Sequence, residues 1–357
     1  MRSRQRQVLG VLVVIAGVGL GIWAFWPKAK KDATKEGGSQ SPGTPGPGSR
    51  EEPIDISRTS RPTGTSPTGT ADILTTTQPY AAASLIPAEA QAIYKRGKQL
   101  MDEKKFIEAR VELSKALASG HLGAPEEADA VNLLSKLAEE ILFTRKIVDG
   151  DPYALQYMVQ PGESLEGAPP KGIERRMGLH VPSQLILRVN GIRRPADLQA
   201  HQAIKLIRGP FHAIITKSKL TMDAYLGDVF VRRYRIGIGA KETPTPSGFY
   251  HLTLGGKLSG NNTPYTPPVN SGLPMKTLLP KDPGYPLDAG GHWMSLTGIP
   301  EKGTNIPTGA GYGIHGTNDP TSVGKAVSHG CVRLLDKDIE EVFSLLYEKW
   351  STVEIRE

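Results

Sequence analysis

The sequence predicts a multidomain α and β protein: a transmembrane helix, a disordered tether, a small helical region, a βααβ module and a mainly-β sandwich with one late helix. Three observations predict this order. An unbroken apolar run occupies Val8 to Trp26. Glycine, serine, threonine and proline crowd the stretch from Lys31 to Thr77. Helical apolar spacing from Pro87 then gives way, beyond Phe211, to β-branched runs punctuated by glycine and proline.

The expected boundaries are 1–7 for a cytoplasmic N-terminus, 8–26 for the anchor, 27–86 for the tether, 87–148 for the helical region, 152–208 for the module and 211–356 for the sandwich. The apolar run of 19 residues spans about 28 Å as a helix, close to the hydrocarbon thickness of a bilayer. Trp23 and Trp26 stand at one end, where interfacial aromatics belong. Trp26, Pro27 and Lys28 follow instead of a small-residue cleavage site, so an uncleaved anchor is expected, with a cleaved signal peptide as the alternative. Basic residues flank both ends, so charge does not orient it. The next segment has too few apolar side chains to offset its ordering entropy and reads as a tether.

With 357 residues, 40 glycines, 29 prolines and a formal charge of +7, the chain suits several domains, long linkers and an acidic partner. Ala92, Tyr94, Gly97, Leu100, Phe106, Ala109, Leu113 and Ala116 recur at helical spacing in two segments joined near Lys104-Lys105. They look like one tetratricopeptide-type helix pair. Pro125, Glu126 and Glu127 open a third helix carrying Val131, Leu134, Leu137, Ala138, Ile141 and Leu142. A spacer packed on itself is expected, with a partner-binding groove as the alternative; its protein partner is unknown.

Tyr157-Met158-Val159-Gln160 is strand-like, and Leu185, Ile186 and Val189 sit at helical spacing before Asn190-Gly191. Ala203 to Ile207 closes the segment as a strand. With Pro161-Gly162-Glu163-Ser164-Leu165, Leu198, Gln202 and Leu206, this run resembles a LysM module, which implies contact with N-acetylglucosamine-containing glycan strands. Gly167 to Lys171, with Pro169-Pro170, interrupts the first helix of that pattern. From Phe211 onward His212–Thr216, Val229–Val231 and Tyr234–Gly239 have strand composition, Asp338 to Tyr347 reads as the late helix, and Thr352 to Ile355 as a last strand.

The single cysteine, Cys331, lies in Ser328-His329-Gly330-Cys331-Val332-Arg333, and His315 precedes it in Gly313-Ile314-His315-Gly316-Thr317. In an extended segment His329 and Cys331 share one face, and an imidazole holds a thiolate near neutral pH. The amides of Gly330 and Cys331 are candidate oxyanion donors. An inert buried thiol and a satisfied core histidine are the competing readings. No paired Cys-x-x-Cys or His-x-x-x-His element is present, so neither a metal nor another cofactor is expected.

The His315–Gly324 and Ser328–Leu334 segments, with Thr245-Pro246-Ser247-Gly248-Phe249-Tyr250 upstream, resemble the L,D-transpeptidase catalytic domain. The resemblance implies that Cys331 attacks the carbonyl between the third and fourth residues of a peptidoglycan stem, that His315 moves the proton, and that His329 supports the pair. It implies substrate or oxyanion contact for Ser328, Gly330, Arg333, Gly316 and Thr317. A 3→3 cross-link follows if a diamino acid amine accepts the acyl group. A silent wall-binding scaffold and a thiol carboxypeptidase or endopeptidase are the alternatives. The implied partners are stem peptides and the cytoplasmic membrane, with the C-terminal domains outside it and no nucleic acid.

Overall fold

The computed structural model describes residues 85–357. The expected anchor at 8–26 and nearly all of the tether lie outside the described residues. No helix among the described residues is long and apolar enough to cross a membrane.

Three helices come first: α1 (Pro87–Asp102), α2 (Phe106–Ala118) and α3 (Ala124–Leu137), the last prolonged by a π turn at Ala138–Leu142. Proline occupies the first turn of α1 and of α3, where the missing N–H costs nothing. Gly97 lets α1 and α2 close up, since a Cβ there would lie 2.7 Å from Leu113 Cγ.

A βααβ unit follows, made of β1 (Ala154–Met158), α4 (Ile173–Met177), α5 (Ser183–Asn190) and β2 (Ala203–Ile207). The strands pair antiparallel from Ala154↔Ile207 to Met158↔Ala203. The first helix is cut to five residues because the Pro169-Pro170 stretch cannot supply helical donors. Gly191, at φ 65°, ends α5 in the left-handed conformation.

The remainder is mainly β: β3 (Phe211–Thr216), β4 (Thr221–Leu226), β5 (Val229–Arg235), β6 (Ile238–Gly239), β7 (Gly248–Leu258), β8 (Trp293–Gly298), β9 (Gly313–Gly316), β10 (Ala326–Ser328), β11 (Val332–Leu334), α6 (Asp336–Leu345) and β12 (Thr352–Arg356). Eight strands form one sheet in the order β11-β9-β8-β7-β12-β3-β4-β5, and β10 pairs with β6 beside it. The C-terminal strand β12 sits inside the sheet, parallel to β3 and antiparallel to β7.

The helical region is neither a self-packed spacer nor a free groove. Tyr94, Leu113, Leu117 and Leu134 share a core with Ile214, Tyr225 and Phe230 of the sheet. Three short helices bury too little apolar surface by themselves, and β5 is an edge strand that exposes unpaired amides. The Phe230 N–H donates to Ser114 Oγ of α2 at 2.9 Å, and Glu127 of α3 pairs with Arg233 at 2.7 Å. The βααβ unit is equally welded. Its Val159, Leu185 and Ile204 belong to the same core as Leu142 and as Phe211, Ile314 and Val353.

Candidate active site

The candidate reactive residues come from two parallel neighbours. Val332↔Ile314 and Arg333↔His315 are register partners of β11 and β9. Extending that register one residue puts Cys331 level with Gly313, on the same face as Arg333 and His315. On the other side β8 sets Trp293 opposite His315. The two rings stack with centroids 5.5 Å apart, and Tyr265 lies 6.2 Å from His315. Cys331 packs in one apolar cluster with Trp293, Tyr265 and Leu287.

The segment between β7 and β8 therefore covers the thiol. Cys331 is 3% exposed and His315 1%. Burial pushes the Cys331 thiol up to about 12, opposed by the Gly313 main chain and the Arg333 charge. Burial pushes His315 down to about 4, and Arg333 acts in the same direction. Both groups are neutral at pH 7, which corrects the expectation of a thiolate held near neutral pH by an imidazole. Desolvation by Tyr265, Trp293 and Leu287 outweighs the single nearby cation. The thiol donates to Gly311 O at 3.4 Å, as a neutral S–H does.

His315 has a defined tautomer. Its Nδ1 lies 2.6 Å from Gly316 O, so Nδ1 carries the proton and Nε2 is left as the base.

His329 is placed differently from the sequence-based expectation. Gly330 adopts φ 112°, which breaks the alternation of an extended segment, so His329 is exposed while Cys331 turns inward. The buried pocket holds one imidazole of the two. A side chain at Gly330 would also meet Tyr312 Cε1 at 2.8 Å. The Gly330 N–H, expected to face an oxyanion, donates to Ser328 Oγ at 3.2 Å, and Ser328 Oγ donates to Cys331 O at 2.6 Å. Ser328 thus shapes the loop. Thr317 is buried and accepts the Asp319 N–H at 3.1 Å, closing the turn after β9. Thr243, just before the upstream Thr-Pro element, braces the same loop by donating from Oγ1 to Ser328 O at 3.0 Å, and Thr245 Oγ1 of that element accepts from Gly239 N of β6 at 2.8 Å.

Sequence reasoning missed Trp293, Asp288 and His292. They reach the site through the pairing of β8 with β9 and the end of the β7–β8 segment, and no local pattern marks them. A cavity of about 720 Å³ adjoins the cluster, lined by Asn262, Tyr285, Leu287, Asp288 and Asn318 among others. Among the described residues no group of three or more His, Cys, Asp or Glu is arranged to hold a metal.

A buried cysteine and an Nδ1-protonated histidine at adjacent parallel strands, with a glycine at positive φ before the cysteine, bring a potential nucleophile and a potential base to one face of the sheet. Residues 210–355 match the family model of YkuD, the L,D-transpeptidase catalytic domain. Among curated proteins the chain is similar to the candidate L,D-transpeptidase YkuD of Bacillus licheniformis, at 29% identity over 198 residues, 54% of this chain and 93% of that protein. It is also similar to the Bacillus subtilis protein of the same name, at 29% identity over 137 residues, 38% of this chain and 61% of the relative. Among solved structures, an L,D-transpeptidase from Mycobacterium smegmatis aligns at 15% identity with a TM-score of 0.32, over 44% of this chain and 64% of that one. The chain thus spans less than two thirds of the latter two.

Proposed function

We propose that this protein is a peptidoglycan L,D-transpeptidase that forms 3→3 cross-links through a thioester on Cys331. The observation that carries the reading is the placement of Cys331 and the Nδ1-protonated His315 at the adjacent strands β11 and β9, within the segment that matches the L,D-transpeptidase family model. Since both groups rest neutral, the thiol proton moves to His315 Nε2 as Sγ attacks the stem carbonyl. The bond from that carbonyl to D-alanine then breaks, and the amine leaves with the proton from His315. A side-chain amine of a second stem attacks the thioester, its proton passes to His315, and Cys331 is released as a thiol. Arg333 favours the transient thiolate, and the Gly313 main chain does the same. Substrate reaches Sγ by displacing the Tyr265–Leu287 cover.

The outer-face location and the anchor at 8–26 belong to this proposal, supported by the apolar run and by a substrate that lies outside the cytoplasmic membrane. Glycan contact by the βααβ unit rests on its LysM resemblance. A silent wall-binding scaffold is the second reading, favoured by the burial of Cys331.

The test incubates the full chain in detergent with disaccharide-tetrapeptides, then identifies products by mass spectrometry. Dimers joined 3→3, with release of D-alanine and loss of turnover in Cys331→Ser and His315→Ala, are expected. Tripeptides alone would make the protein a carboxypeptidase. Absence of both turnover and any carbapenem adduct on Cys331 leaves the scaffold.

A further inference from the structure

Asp288 and His292 lie outside every motif of the reaction, yet they enclose the peptide that follows the base. The Asp288 side chain is 1% exposed and pairs with the His292 ring, Oδ2 to Nδ1, at 2.7 Å. The same carboxylate accepts the His292 N–H at 2.9 Å and the Gly290 N–H at 3.1 Å, so it ties the 288–292 turn into one unit. That turn grips Gly316 from two sides. The Gly316 N–H donates to His292 O at 3.3 Å. Asp288 packs against the Gly316 α-carbon so closely that an added Cβ would lie 2.5 Å from Oδ1 and 2.7 Å from the Asp288 Cβ. Gly316 O in turn accepts the His315 Nδ1 proton.

We propose that Asp288 is a positioning residue for the reaction at Cys331: with His292 it clamps Gly316, whose carbonyl decides which nitrogen of His315 carries the proton. The inference rests on the reading of His315 as the base. A carbonyl accepts well only when its peptide plane is held, and a glycine peptide has the most freedom to rotate away. The pair fits the task. The Asp288 hydrogen bond holds His292 above the usual histidine range, helped by Glu340 and Asp336 of α6. Burial opposes ionisation of Asp288, but the His292 ring, the His292 N–H and the Gly290 N–H together keep it below the ordinary carboxylate range. Around His315 itself the charged neighbours are Arg333, which disfavours its protonation, and Asp288, which favours it.

The test compares the wild-type chain with Asp288→Asn, which keeps the shape and removes the charge. Imidazole nitrogen NMR reads the His315 tautomer and its titration without any turnover. The wild type is expected to show an Nδ1–H tautomer. Asp288→Asn is expected to move the His315 titration and the acid limb of kcat/KM to lower pH by about half a unit or more. It should lower kcat about tenfold, with KM within about twofold. His292→Asn, which retains a polar atom near the Nδ1 position, should recover most of the loss seen in His292→Ala. Unchanged His315 nitrogen shifts in a folded Asp288→Asn protein would overturn the proposal. Should the wild type show no acyl transfer at all, the NMR readout still decides the clamp, and only the reading of the base fails.

Discussion

Arg333 and His315 are direct partners across the parallel pair β11–β9, so guanidinium and imidazole leave the same face of the sheet. The consequence is electrostatic. The Arg333 charge lowers the proton affinity of both Cys331 and His315. It favours thiolate over thiol and neutral imidazole over imidazolium, which in the proposed reaction keeps His315 able to accept a proton when attack begins.

The resting thiol should be slow toward alkylation. With its proton held up to about 12, the thiolate fraction at pH 7 is about 10³-fold below that of an ordinary cysteine. Iodoacetamide labelling of the folded chain, followed by intact mass, should be slower by at least that factor than labelling in denaturant. Comparable rates in the two conditions would show an open, ionised thiol.

Acid should weaken the fold through two histidines. Burial holds His212 at about 4, as it does His315. Both are neutral when folded and bind protons on unfolding below the usual 6.5. The unfolded state therefore binds more protons, and stability falls as pH drops from 6.5 toward 4. Each histidine accounts for about 2–3 kcal/mol of that loss. His212 Nδ1 accepts the Thr352 N–H at 3.1 Å, and His212→Asn offers an oxygen in its place. Denaturant midpoints at pH 7 and 4.5 should differ less in His212→Asn than in the wild type; an equal difference in both would refute the assignment.

Lys205 should be a fastening point between the βααβ unit and the helical region. Its buried ammonium on β2 donates to the carbonyls of Ile141, Leu142 and Thr144, at 3.4 Å for Leu142 and 3.2 Å for Thr144. Lys205→Met keeps the stem and strands those carbonyls, costing about 2–4 kcal/mol. Denaturation midpoints measure the loss, and hydrogen exchange across 138–145 should quicken. Wild-type exchange there would sink the idea.

Gly330→Ala should damage the reactive loop more than the fold. The residue needs φ 112°, and its Cβ would press on Tyr312. The strain is about 1–3 kcal/mol. Acylation of Cys331 by a carbapenem should fall by more than tenfold while the thermal midpoint drops by only a few degrees. Acylation at the wild-type rate would place the loop geometry outside the chemistry.

Local patterns carried much of the fold. Helical spacing marked α1, α2 and α3, and the late helix is displaced by only two residues, from Asp338 to Asp336 at its start. The interruption at Gly167 to Lys171 was legible because proline chemistry is local. The position of β12 was not, since a five-residue strand at the C-terminus carries no mark of which neighbours it will pair with. The docking of α2 and α3 on β5 escaped notice for the same reason: an apolar helix face does not name its partner.

At the site the division is sharper. By itself the amino-acid order singled out the proposed thiol and base: Cys331 is the one cysteine of the sequence, and His315 stands in the motif that carries the family resemblance. Tertiary structure alone decided their protonation, the outward turn of His329 and the roles of Trp293, Asp288 and His292. Proton affinity depends on what surrounds a group in space. That surrounding is built by the β7–β8 segment, which folds back over residues it precedes in the chain.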